Sequence, residues 1–140
     1  TCRDLMAKIY YKDGYKYQLS RCYGMQTPVT GYRTSCPFIL LDSKGYLIIE
    51  DGYAWDGASG PTWDSKSSMR GSLVHDAFYQ LEREGLLPQS ERGKIDKMLH
   101  DICVEDGMWG WRADLWLWAV RKFAGYAASP KNNHPPLEAP

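Results

Sequence analysis

The spacing of apolar residues changes once along this chain, near residue 65, and that change sets the order of its elements. Before it, apolar residues come in short alternating runs separated by turn residues. Lys8-Ile9-Tyr10-Tyr11 and Tyr15-Lys16-Tyr17-Gln18-Leu19 flank Lys12-Asp13-Gly14 and predict a hairpin. Pro37-Phe38-Ile39-Leu40-Leu41 and Tyr46-Leu47-Ile48-Ile49 flank Asp42-Ser43-Lys44-Gly45 and predict a second. After the change the spacing is helical. Leu73, Val74, Ala77, Phe78 and Leu81 form one stripe, with serines 65, 67 and 68 as caps and Gly85 as the stop. A second helix starts at Pro88-Gln89-Ser90-Glu91, turns Ile95, Met98, Leu99 and Ile102 inward and ends near Gly107. A third runs from about Trp111 to Phe123 and stops at Gly125. The short link at 85–88 makes the first two an antiparallel pair. Strands first and helices second give an α+β fold: N-terminal antiparallel hairpins, then a three-helix half.

The length suits one domain, expected over residues 1–128, with 129–140 a disordered Pro-rich tail. Met6 reads as a start, so residues 1–5 are expected to be an extension, with no signal peptide. Lys plus Arg equals Asp plus Glu, and no basic stripe appears, which argues against nucleic acid. No apolar run is long enough to span a bilayer. The cysteines at 2, 22, 36 and 103 match no metal spacing. Cys22 and Cys36 could pair, but reduced thiols are the expectation.

Two stretches carry chemistry. Residues 51–64, Asp51-Gly52-Tyr53-Ala54-Trp55-Asp56-Gly57-Ala58-Ser59-Gly60-Pro61-Thr62-Trp63-Asp64, are glycine-rich, aromatic and aperiodic, as functional loops are. The first helix then places His75-Asp76 inside an apolar stripe, which is costly unless partners satisfy the pair. Tyr79 lies one turn from His75. His75 stands ten residues before Gly85 and Asp96 eight after Pro88, so at ~1.5 Å per residue the two are nearly level. Asp96 would hold one His75 nitrogen and leave the other for proton transfer. Asp76 and loop carbonyls offer hard oxygen ligands suited to calcium.

His75-Asp76-x-x-Tyr79 with Asp96 some twenty residues on resembles the signature of calcium-dependent phospholipases A2, closest to the disulfide-free kind in parvoviral capsid proteins. The resemblance covers about residues 53–100. It implies that His75 is the general base, that Asp96 orients it and that Tyr79 bonds Asp96. It also implies calcium held by Asp76 with backbone oxygens near Gly57 and Gly60, and a lipid or small ester as substrate. The loop departs from the family's Tyr-x-Gly-x-Gly, and Asp56 and Asp64 are extra carboxylates, Asp56 being counted with the ligand set. A second resemblance spans more of the chain. Gly52-Tyr53, Asp56-Gly57-Ala58-Ser59-Gly60-Pro61, His75-Asp76, Tyr79, Asp96, Arg112-Ala113 and Ala119-Val120-Arg121 are similar to an uncharacterised family of small phage and prophage proteins. It implies a phage origin, hence host cytoplasm or virion, and assigns no activity.

The competing reading makes His75, Asp76 and Asp96 a structural network in a non-enzymatic phage accessory or virion protein. In it the third helix, with Trp109, Trp111, Trp116, Trp118, Arg112, Arg121 and Lys122, binds a protein partner or lipid headgroups. Trp111, Leu115, Trp118 and Phe123 are expected to face inward and Trp116 to be the odd one out. His100 is expected on the helix surface. Ser59 fails the nucleophile-elbow pattern because Pro61 breaks it.

Overall fold

The computed structural model describes residues 9, 11–12, 17–55 and 66–124. Among these residues seven strands precede three helices: β1 Tyr11–Lys12, β2 Tyr17–Leu19, β3 Tyr23–Gln26, β4 Thr34–Cys36, β5 Ile39–Leu41, β6 Tyr46–Ile49, β7 Ala54–Trp55, α1 Lys66–Arg83, α2 Arg92–Glu105 and α3 Gly110–Ala119. The α+β order is as the sequence implies.

Two antiparallel sheets form, ordered β1-β2-β7 and β3-β6-β5-β4. Both expected hairpins are present. β1 meets β2 with Tyr11 opposite Leu19, and Lys12 belongs to the strand rather than to the turn. β5 meets β6 with Leu41 opposite Leu47. Their turn is set by Asp42, whose Oδ1 accepts from the Lys44 and Tyr46 amides at 3.0 and 2.9 Å. Gly45 follows at φ +88°, a left-handed conformation that glycine adopts without strain. Pro37 is not in a strand. It opens a two-residue turn between β4 and β5, with Phe38 at φ +73°. The strands β3 and β4 were not evident from the sequence, and neither was β7, which lies in the stretch read as pure loop.

Alternation puts Ile39, Leu41, Leu47 and Ile49 in the core, with Leu40 outward. These pack with Tyr23, Leu19 and Trp55 against Leu73, Val74, Ala77, Phe78 and Leu81 of α1 and Ile95, Met98 and Ile102 of α2. α1 is thus buried on most of its circumference, and it is the element that carries the candidate site. It ends as expected. Gly85 sits at φ +74°, its amide bonds Glu82 O at 3.0 Å, and the Leu86 amide bonds Leu81 O at 2.9 Å. This double closure satisfies carbonyls the helix leaves open. Gly107 closes α2 the same way, with Met108 bonding Cys103 O at 2.9 Å. Ser67 and Ser68 lie within α1 rather than capping it, and residue 65 is outside the described residues. The link to α2 is a 3-10 turn, Gln89–Glu91.

The third helix is rotated from its expected orientation. Trp116 is 3% exposed, while Trp111 and Trp118 are 64% and 55% exposed and Leu115 is also out. Ala113, Trp116 and Val120 form the inward stripe, packed with Leu99, Cys103 and Met108 in a second, smaller cluster. Small Ala113 and Ala119 let α3 lie close to α2, so one large ring suffices to fill the seam. The helix passes into a π turn at Val120–Ala124; the Phe123 side chain is outside the described residues. Cys22 is disulfide-bonded, while Cys36 and Cys103 are free. The expected reduced state gives way at Cys22 and holds at Cys36 and Cys103, so Cys22 does not pair with Cys36, whose Sγ lies 3.9 Å from Gln80 Nε2. Among the described residues no helix is long and apolar enough to cross a membrane.

Candidate functional site

The site forms where α1 and α2 cross. His75, Tyr79 and Glu82 fall at helical spacing on one face of α1, and Asp96 comes from α2. His75 Nε2 donates to Asp96 Oδ1 at 2.8 Å. The Tyr79 hydroxyl donates to the same oxygen at 2.6 Å. The His75 and Tyr79 rings lie 4.0 Å apart between centroids. Asp96 is fully buried, so these two donors replace the water its charge has lost. With its proton on Nε2, His75 presents Nδ1 as an acceptor. Nδ1 lies 4.0 Å from Asp76 Oδ1, too long for a hydrogen bond. The Asp76 carboxylate is 39% exposed.

Charge follows from these positions. Burial pulls the His75 pKa down, but the Asp76 and Asp96 carboxylates outweigh it and the net shift is upward. Burial and the bond to Asp96 push the Tyr79 phenol far up, so it stays a donor. Glu82, which the sequence reading passed over, is 0% exposed, and neither of its oxygens has a hydrogen-bond partner among the described residues. Burial first and the Asp96 charge second raise it from 4.5 to about 7. The available signal was its place three residues after Tyr79 and next to Leu81 on an otherwise apolar face.

A second polar link, also passed over, sits one turn before His75. Arg70 is buried and grips Asp106 with two bonds at 3.0 and 2.9 Å, while its third nitrogen donates to the Tyr23 hydroxyl at 3.1 Å. It ties α1 to the end of α2 and to the sheet. His100 is not a free surface group. It joins α2 to α3 through Asp114 at 2.6 Å and contacts Asp101 at 3.0 Å.

The end of β7 is anchored beside the histidine. Trp55, the last residue of β7, donates through Nε1 to Ser72 Oγ at 3.0 Å, three residues before His75. Ser72 in turn bonds Met69 O at 2.9 Å. The chain leaves β7 there and returns at Lys66, the start of α1. The expected ligands Asp56, Gly57 and Gly60 lie outside the described residues. Among the described residues no three His, Cys, Asp or Glu side chains group as a metal site. Asp76 is thus the one described member of that set, and its oxygen chemistry suits a hard cation.

No protein family, curated protein or solved structure matches this chain.

Proposed function

We propose that this chain is a small hydrolase of the phospholipase A2 type, encoded by a phage, in which His75 activates water. The observation that carries the reading is the directional His75–Asp96–Tyr79 network. One histidine nitrogen is committed to a doubly bonded carboxylate at 2.8 Å, and the other makes no hydrogen bond to Asp76. His75 Nδ1 takes a proton from water as the water oxygen bonds an ester carbonyl carbon, and the tetrahedral intermediate collapses by breaking the C–O bond to the alcohol, whose oxygen receives that proton back from His75. Asp96 then faces an imidazolium and stabilises it, and Tyr79 keeps Asp96 in place. The raised His75 pKa moves the rise of rate with pH upward, because only the neutral ring accepts a proton. Asp76, with Asp56 and backbone oxygens at Gly57 and Gly60, would hold calcium, which when bound supplies positive charge for the oxyanion. The substrate class is a phospholipid or a small ester.

The test is hydrolysis of phosphatidylglycerol vesicles and of a short-chain ester, with calcium, by wild type, His75→Gln and Asp76→Asn, beside calorimetric calcium titration. Loss of turnover in His75→Gln with the melting temperature kept supports the reading. A histidine variant that unfolds, or wild type with no turnover and no calcium heat, sinks it.

A second reading has its own observation. Trp109, Trp111, Leu115 and Trp118 form an exposed apolar stripe, with Trp109 71% exposed and Lys122 5.0 Å over the Trp118 ring. Such a face fits a non-enzymatic virion or accessory protein that docks on a protein partner. The disulfide at Cys22 favours an oxidising setting such as a virion over reducing cytoplasm.

A further inference from the structure

Three carboxylate oxygens in the α1–α2 crossing have no hydrogen-bond partner among the described residues: Glu82 Oε1 and Oε2, and Asp96 Oδ2. Both residues are fully buried. Two ionised carboxylates cannot share a dry space without a large penalty, and acceptors cannot satisfy each other without a proton between them. A proton on Glu82 removes both difficulties. Tyr79 reaches Asp96 Oδ1 from α1, and Glu82 follows one turn later on the same face. Asp96 Oδ1 already accepts from His75 and Tyr79, so its other oxygen is the open acceptor.

We propose that Glu82 is a protonated positioning residue beside Asp96, so that the two buried carboxyl groups carry one negative charge instead of two. The positioning role rests on the hydrolase reading above; the protonation does not. Among the described residues, four charged or titratable groups act on Glu82. Asp96 from α2 and Glu91 from the 3-10 turn favour its neutral form, while Arg92 from α2 and His75 from α1 oppose it. Glu91 is itself compensated, by the Tyr32 hydroxyl at 2.9 Å and Lys94 Nζ at 3.3 Å. Burial decides the balance and keeps the proton on Glu82 up to about pH 7. A neutral Glu82 leaves the imidazolium of His75 as the cation that Asp96 answers. An ionised Glu82 would place a second anion behind Asp96 and change the basicity of the histidine.

The decisive measurement is a carbon-13 NMR titration of glutamate-carboxyl-labelled protein from about pH 4 to about pH 9. One carboxyl titrating near 7 in wild type, absent from Glu82→Gln, is expected, against the ordinary glutamate value of about 4.3. If every glutamate of the folded wild type titrates below about 5, the proposal is wrong. Where Glu82→Gln does not fold, Glu82→Asp makes the assignment, because the unlabelled aspartate removes that one titrating signal. In turnover assays Glu82→Gln should remove an inflection of kcat near neutral pH and leave KM in place. An active variant with an unchanged profile overturns the positioning role. Absent turnover together with a carboxyl midpoint near 7 rejects the hydrolase reading and retains the protonated Glu82.

Discussion

Replacing Gly71 with alanine tests the crossing on which the site depends. Gly71 lies one turn before His75 in the middle of α1, where glycine costs about 1 kcal/mol relative to alanine. A helical chain keeps such a residue when a neighbour needs the space. A Cβ there would lie 2.7 Å from Cys103 Sγ, 3.0 Å from Leu99 Cδ1 and 3.3 Å from the Leu99 carbonyl oxygen. Cys103 is packed in the α2–α3 cluster and cannot swing clear, and the carbonyl belongs to the α2 backbone. Overpacking of this kind costs ~1–3 kcal/mol. Set against the gain in helix propensity, Gly71→Ala should destabilise by about 1 kcal/mol. Urea unfolding with a common slope reads that figure. Cys103→Ala removes the nearest obstacle, so the double variant should recover part of the loss, a coupling of ~0.5–1 kcal/mol. Because Leu99 and Cys103 share α2 with Asp96, a few tenths of an ångström of separation also stretches the 2.8 Å bond to His75. The Nε2 proton of His75 should therefore move upfield in the NMR spectrum. A Gly71→Ala protein more stable by about 1 kcal/mol, with no coupling to Cys103, would refute the close approach.

Wild-type stability should fall as pH rises between about 5 and 8. The folded state holds the Glu82 proton up to about 7 while the unfolded chain releases it near 4.5, a gap of ~3 kcal/mol, and Glu82→Gln should flatten that fall in chemical denaturation at the two ends. The raised His75 pKa acts in the same direction in both proteins, so their difference reads Glu82 together with its coupling to His75. Tyr79→Phe removes one of the two donors on buried Asp96 and should cost ~1.5–3 kcal/mol by thermal or urea melts, with a neutral outcome arguing against that hydrogen bond. Trp116→Ala should cost ~3–5 kcal/mol while Trp111→Ala and Trp118→Ala each stay within about 0.5 kcal/mol; reversed values would restore the orientation of α3 that the sequence suggested.

What was legible in the sequence is what neighbours along the chain decide. The β5–β6 hairpin follows from the alternation of Ile39, Leu41, Leu47 and Ile49 around Asp42 and Gly45. The lengths of α1 and α2 follow from Gly85 and Gly107, whose left-handed backbone closes each helix. The short link at 85–88 then brought His75, Tyr79 and Asp96 together by counting alone. The rest needed partners distant in sequence. β3, β4 and β7 are two to four residues long, too short for a period, and exist because β6, β5 and β2 lie beside them. The third helix has tryptophan on both faces, so composition could not say which one turns in. Packing against Leu99 and Cys103 chose Trp116. Glu82 reads as an ordinary helix-former until α2 closes over it. Its chemistry, like that of the histidine it accompanies, is set by the water that tertiary packing removes.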